Sequence, residues 1–264
     1  MFGEMLEMVL PARCGGCGVA GAVLCEGCEV AVRGRPSVRG PDPGPLGLPV
    51  CWAAGEYAGP VRRAVIAYKE RGRVALAGPL GDALAGVLAV AMAEVVPGGP
   101  VGVVPVPSAP GAGRRRGHDP VGRLAALAVR TLARQGWPVT LARAVEPCGH
   151  VADQARLGAA ERAVNLAGAF RACPPARRGG EPWRGEGVAV LVDDVVTTGA
   201  TLAEAARALR AAGVGVPLAV TLAATPRTRQ RPQERAGERP RHVRGRGGTE
   251  TTRRGDRKPA GHVG

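Results

Sequence analysis

Between Val50 and about Thr225 the apolar residues fall into two kinds of run that alternate along the chain. Short stretches in which nearly every position is apolar, Val101 to Val106, Val188 to Val192 and Pro217 to Ala223, are bounded by turn residues and read as strands buried on both faces. Longer stretches, Pro60 to Glu70, Pro79 to Val96, Val121 to Gln135 and Thr201 to Ala212, read as helices; in the last, Leu202, Ala205, Ala206 and Leu209 share one face. Thr201 with Glu204 fits a capping box at the start of that helix, and Gly213 sits where a left-handed residue would end it. Strands alternating with helices predict an α/β domain over residues 51–225, with an open, mainly parallel sheet flanked by helices.

The flanks have a different texture. Residues 1–50 hold a cysteine cluster and then Gly34 to Pro49, too rich in Gly and Pro for regular structure, so a small N-terminal unit followed by a linker is expected. From 226 to 264 only Ala236, Val243, Ala260 and Val263 are apolar, which predicts a disordered basic tail because too little apolar surface exists to offset the entropy of ordering it. No internal repeat stands out.

Composition refines this picture. The apolar residues are mostly Ala, Val and Leu and only 3% of the chain is aromatic, so the core should be built from small aliphatic side chains. The net charge of +14 suggests a nucleic-acid partner until it is located: the last 39 residues hold 12 of the 36 basic groups and only 4 of the 22 acidic ones. Single-stranded DNA usually stacks on aromatic platforms, and the body has almost no aromatic residues to spare for them. Glu4 and Glu7 stand where a secretory leader would carry basic residues, so no leader is expected and the cytoplasm is the expected compartment. The stretch Ala83 to Val96 is broken by Gly86 and Glu94 and falls short of the ~20 residues of a membrane span, so none is expected.

Seven cysteines in a reducing compartment argue against a disulfide framework. Cys14, Cys17, Cys25 and Cys28 form two Cys-x-x-Cys pairs close together, a spacing that suits a closed tetrahedral thiolate site for structural Zn²⁺. Four reduced cysteines without metal are the plainer alternative. A redox pair fits less well, since neither pair follows a strand to open a helix. Cys51, Cys148 and Cys173 have no partner at ligand spacing.

The richest stretch runs from Ala189 through the apolar Val190-Leu191-Val192 into Asp193-Asp194-Val195-Val196-Thr197-Thr198-Gly199-Ala200-Thr201. An apolar strand delivers two carboxylates to its C-terminal edge, where ligands bind in open α/β sheets, and a Thr/Gly loop then enters a helix N-terminus. Backbone N–H groups, the helix dipole and the Thr hydroxyls suit a phosphate, and Gly199 permits close approach. Asp193 and Asp194, as acceptors, suit the vicinal hydroxyls of a ribose. The bland reading is a strand end and a helix cap; a receiver-type Asp pair and a Walker-type magnesium acid are further alternatives, but no Gly-x-x-x-x-Gly-Lys-Ser/Thr loop is present to complete the latter.

This run resembles the phosphoribosyl pyrophosphate signature of type I phosphoribosyltransferases. The resemblance implies that fold, with residues 193–201 binding the ligand, Asp193 and Asp194 catalytic, and Mg²⁺-assisted departure of pyrophosphate. Transfer of the phosphoribosyl group to an unidentified nitrogen acceptor would follow. A basic loop after Val103-Val104-Pro105-Val106, with Pro107, Ser108, Arg114, Arg115 and Arg116, is the candidate pyrophosphate cradle, although clustered arginines are as often a solvated surface.

With the cysteine unit ahead of such a domain, the chain resembles the ComF family of competence-associated proteins. Tyr57 with Lys69, Pro105-Val106-Pro107 and Arg116-Gly117 match that family's pattern. Its mobile segment looks like Gln154, Leu157, Glu161, Arg162, Asn165, Ala169 and Phe170. The resemblance implies a role in DNA uptake, with single-stranded DNA and a competence helicase as partners, and allows a non-catalytic regulator as the alternative to an enzyme. The chain departs from the pattern at His118-Asp119-Pro120, where the family commonly has Phe-Asn-Gln, and in its basic tail.

Overall fold

Among the described residues five strands run parallel, a helix or a longer crossover returning the chain to the same end of the sheet each time. The computed structural model describes residues 12–96, 98–107, 119–148, 168–173 and 187–226. These all belong to one compact unit, Met1–Arg227, and the tail 228–264 lies outside the described residues. In chain order the elements are α1 (Glu26–Arg33), β1 (Ser37–Val38), β2 (Val50–Glu56), α2 (Gly59–Lys69), a 3₁₀ turn (Val74–Leu76), α3 (Ala77–Val95) and β3 (Val101–Pro105). There follow α4 (Pro120–Arg134), β4 (Val139–Leu141), β5 (Val145–Pro147), β6 (Phe170–Ala172), β7 (Val188–Val196), α5 (Ala200–Ala211) and β8 (Gly215–Ala224).

The six-stranded sheet has the order β1-β2-β8-β7-β3-β4, with only β1 antiparallel to its neighbour. A separate antiparallel pair, β5 and β6, sets Glu146 opposite Arg171. The mixed α/β architecture with a mostly parallel sheet is thus as the alternating pattern predicts. The Gly/Pro-rich stretch contributes one short edge strand, β1, and is otherwise irregular.

Strand alternation divides the core in two. Val190 and Val192 of β7 face one layer with α2, α3 and α4, whereas Ala189 and Leu191 face the other with α5 and the β5–β6 pair. The first layer is anchored by α3, whose Leu80, Leu84 and Leu88 are fully buried, each contributing roughly 1.5–3 kcal/mol. The 3₁₀ turn and α3 together form an apolar stretch, Val74–Val95, that by length and composition is long enough to cross a membrane, longer than the sequence reading allowed. In this fold it packs along the sheet as a core helix.

The cysteine unit rests on this layer. Val32 of α1 joins the same core, Arg63 of α2 donates to the carbonyl of Gly16, and Arg73 donates to that of Arg13.

Candidate functional site

β7 is longer than its apolar run. It continues through Asp193 and Asp194 to Val196 because β8 pairs with it along that whole length, Asp193 opposite Thr221 and Val196 opposite Ala224. β3 stops sooner: its last paired residue, Pro105, lies opposite Val192, and Val106 N–H donates to the Val192 carbonyl. Beyond Val192, then, β7 is bonded on the β8 side, and among the described residues nothing pairs with it on the β3 side, which leaves a ledge there. Both acids stand on this ledge.

The pleat directs Asp194 to the α2 face and Asp193 to the α5 face, but their carboxyls remain close enough to interact. Asp193 Oδ1 accepts from Asp194 N–H at 2.8 Å, and Asp194 Oδ1 accepts from Val195 N–H at 3.0 Å. Asp194 is buried and its Oδ2 meets the ammonium of Lys69 at 2.7 Å. Burial, and next the charge of Asp194, push the Asp193 carboxyl well above the usual carboxylate range, with Lys69 pulling the other way. Among the described residues the arrangement is a polar ledge with strong acceptors and Lys69 as its cation.

Lys69 is the residue that reasoning from local pattern did not place in the site. It is the last residue of α2, and its neighbour Tyr68 is buried with its hydroxyl donating to the Pro120 carbonyl at 3.0 Å. The end of α2 therefore touches both the ledge and the start of α4. Tyr57 sits at the other end of this segment, its N–H on the Ala224 carbonyl and Arg62 over its ring.

The loop after the ledge differs from the expected capping box. Gly199, with φ of 75°, is the N-cap of α5, so the helix begins at Ala200 and Thr201 already lies in its first turn. No side chain caps this end, apart from a long contact of 3.4 Å from Ala200 N–H to Thr198 Oγ1. Glu204, freed from a capping role, is buried and held by Arg207 at 2.7 and 2.8 Å. The first-turn amides of α5 thus point outward without an intrahelical acceptor, the usual setting for an anion. A side chain on Gly199 would strike Leu48, whose Cδ2 lies 2.9 Å from the Cβ position, because the Gly/Pro-rich segment packs against this turn. At the far end Gly213 is left-handed as expected, with φ of 82°.

At the candidate pyrophosphate cradle the structure describes only Pro107; Ser108, Arg114, Arg115 and Arg116 lie outside the described residues, as do Gln154, Arg162 and Asn165. Where the chain departs from the family pattern, Asp119 caps α4 by accepting from Gly122 N–H at 2.9 Å, and Arg143 pairs with it at 2.9 Å. Pro120 occupies the first turn, where its missing N–H costs nothing. A cavity of about 630 Å³ between Pro45, Leu46 and the side of α5 reaches Ala200 but not the acid pair. Its arginines are engaged, Arg207 with Glu204 and the Phe170 carbonyl, Arg210 with the carbonyls of Gly47 and Val216.

The cysteine cluster is formed. The Sγ atoms of Cys14, Cys17, Cys25 and Cys28 all lie within 4.8 Å of one another, and Cys25 Sγ is 3.7 Å from that of Cys14 and 3.6 Å from that of Cys17. Four thiolates about 2.3 Å from a tetrahedral ion stand at roughly this mutual distance, so the four residues can hold a metal such as zinc. The backbone is turned to match, with the N–H groups of Gly16 and Cys25 both aimed at Cys14 Sγ at 3.3 Å. Burial raises the Cys14 thiol, but the amides of Cys25, Cys17 and Gly16 outweigh it and bring the thiol down to about 6, whereas burial and then the neighbouring cysteines push the Cys28 thiol up, as expected of four close sulfurs. Cys25 does open a helix, α1, but a bend rather than a strand precedes it, so the redox-motif context is missing.

No protein-family model matches the chain, and a search of curated proteins returns no match.

Proposed function

We propose that the chain is a ComF-like member of the type I phosphoribosyltransferase group that binds phosphoribosyl pyrophosphate on the β7 ledge. The observation that carries this reading is continuity: two acids on the open side of β7, a left-handed Gly199, and the uncapped N-terminus of α5 follow one another within a few residues. The acids suit the ribose hydroxyls and the α5 amides suit the 5′-phosphate. A bare phosphate would leave the acids without a role, and a bare sugar would leave the helix end without one. Mg²⁺ would arrive with the pyrophosphate and offset its charge. The protein's share of catalysis is positioning of the ribose and electrostatic support at the anomeric centre, with a nitrogen nucleophile as acceptor.

The test is calorimetric titration of the full chain with phosphoribosyl pyrophosphate and Mg²⁺, then pyrophosphate release with nitrogen acceptors. Binding that is lost in Asp193→Asn with Asp194→Asn supports the reading; each charge-assisted bond removed costs about 1.5–3 kcal/mol. Absence of binding by the native chain overturns it.

A further inference from the structure

Two adjacent carboxylates at a sheet edge are also a natural seat for a hard divalent cation, which favours a cluster of anionic oxygens. On this ledge three carboxylate oxygens already have donors: Asp193 Oδ1 has the Asp194 amide at 2.8 Å, Asp194 Oδ1 the Val195 amide at 3.0 Å, and Asp194 Oδ2 the Lys69 ammonium at 2.7 Å. The two amides are fixed by the strand. Lys69 is the only one of the three that carries charge.

We propose that Lys69 determines what the acid pair accepts: its ammonium occupies the place a divalent cation would take on Asp194, so the pair receives neutral hydroxyl donors such as a vicinal diol and refuses a free divalent cation. The inference rests on the reading of this ledge as a sugar-phosphate site. A cation approaching Asp194 must displace the ammonium or sit against it, and in a half-buried setting such repulsion is weakly screened. A hydroxyl brings its own proton, carries no charge and uses lone pairs that remain on oxygens already bonded once.

Lys69 is also held in place, unlike a surface lysine. Its side chain is 28% exposed and that of Asp194 only 9%, so this pair falls outside the class of solvent-exposed ion pairs that contribute little. The buried Tyr68 anchors the same end of α2 through the Pro120 carbonyl. Lys69 is therefore a specificity-determining residue supplied by a helix remote in sequence from the acids.

The experiment is a titration of the full chain with Mn²⁺ alone, read by water-proton relaxation, with the thiolate site filled with zinc beforehand. Binding assigned to the ledge is the part lost in Asp194→Asn. The native chain is expected to show none through the millimolar range, and Lys69→Met to bind at least about tenfold more tightly, the effect of removing one charge at contact distance. Lys69→Arg, which keeps the charge, should behave as the native chain. Lys69→Gln stands in for Lys69→Met if circular dichroism shows the latter to be unfolded. Native Mn²⁺ binding through Asp194 as tight as that of the neutral variants, or no gain in either neutral variant, overturns the inference. No sugar phosphate is present in this titration, so its failure is separate from a failure of the native chain to bind phosphoribosyl pyrophosphate.

Discussion

The hydroxyl of Tyr68 donates to the carbonyl oxygen of Pro120 at 3.0 Å, in a fully buried contact that joins the end of α2 to the first residue of α4. Tyr68→Phe keeps the ring packing and removes this bond, so a loss of about 1 kcal/mol is expected in denaturant unfolding. Burial also pushes the phenol up to about 12. A folded-state value above the unfolded one means that the stability is complete below pH ~10 and declines as pH rises from there through 12. Native protein should therefore lose more stability than Tyr68→Phe over that interval, on the order of 2 kcal/mol. Parallel melting curves of the two proteins above pH 10 would show the phenol to be unburied.

Asp193 carries the opposite lesson for neutral pH. Its carboxyl is held well above the usual carboxylate range, first by burial and then by Asp194. The folded-state value exceeds the unfolded one, so the stability it contributes is full in acid, below pH ~4, and is lost as pH rises. Asp193→Asn should thus melt higher than the native chain at pH 7, with the gap closing towards pH 4, even as ligand binding weakens. A variant that melts lower at pH 7 would refute this.

Gly199 cannot be replaced without cost. Its φ of 75° disfavours any side chain, and a Cβ would meet Leu48 at 2.9 Å. Gly199→Ala should destabilise by about 1–2 kcal/mol from the backbone conformation alone. In a Leu48→Ala background the crowding is relieved, so the conformational part is the difference in denaturant midpoint between the double variant and Leu48→Ala alone. Full recovery in the double variant would show that crowding was the whole effect.

The thiolate cluster predicts one Zn²⁺ per chain in protein purified under reducing conditions, measured by elemental analysis. Chelation should free the cysteine turns first, because metal binding and local folding are coupled, and early proteolysis should fall within residues 12–34 while the sheet persists. Arg63→Ala, which removes the contact with the Gly16 carbonyl, should speed that cleavage without altering metal content. Cleavage that begins in the sheet would contradict this order.

Much of the sheet and its helices was legible in the sequence because the apolar runs were long and uniform. β3, β7 and β8 and the helices α2 to α5 fall within a few residues of where the pattern puts them. β2 was not foreseen: after Val50 it reads Cys-Trp-Ala-Ala-Gly-Glu, in which Ala and Gly are poor strand formers, and pairing with β8 overrides that preference. The three-residue strands β4, β5 and β6 are too short to display a period. α1 was hidden inside what read as metal-binding turns. At the site, the acids, Gly199 and the cysteines announced themselves through local spacing. The contact of Lys69 with Asp194 joins residues far apart in sequence, and no local pattern encodes such a meeting.

Because β7 outruns β3 by several residues, one strand has two halves under different constraints. In a saturation mutagenesis library scored separately for abundance and for ligand binding, Val188 to Val192 should behave as one block, sensitive in both scores. At Asp193 and Asp194 the two scores should part company, polar replacements sparing abundance while abolishing binding. That boundary would fall at the peptide whose carbonyl accepts the last hydrogen bond from Val106.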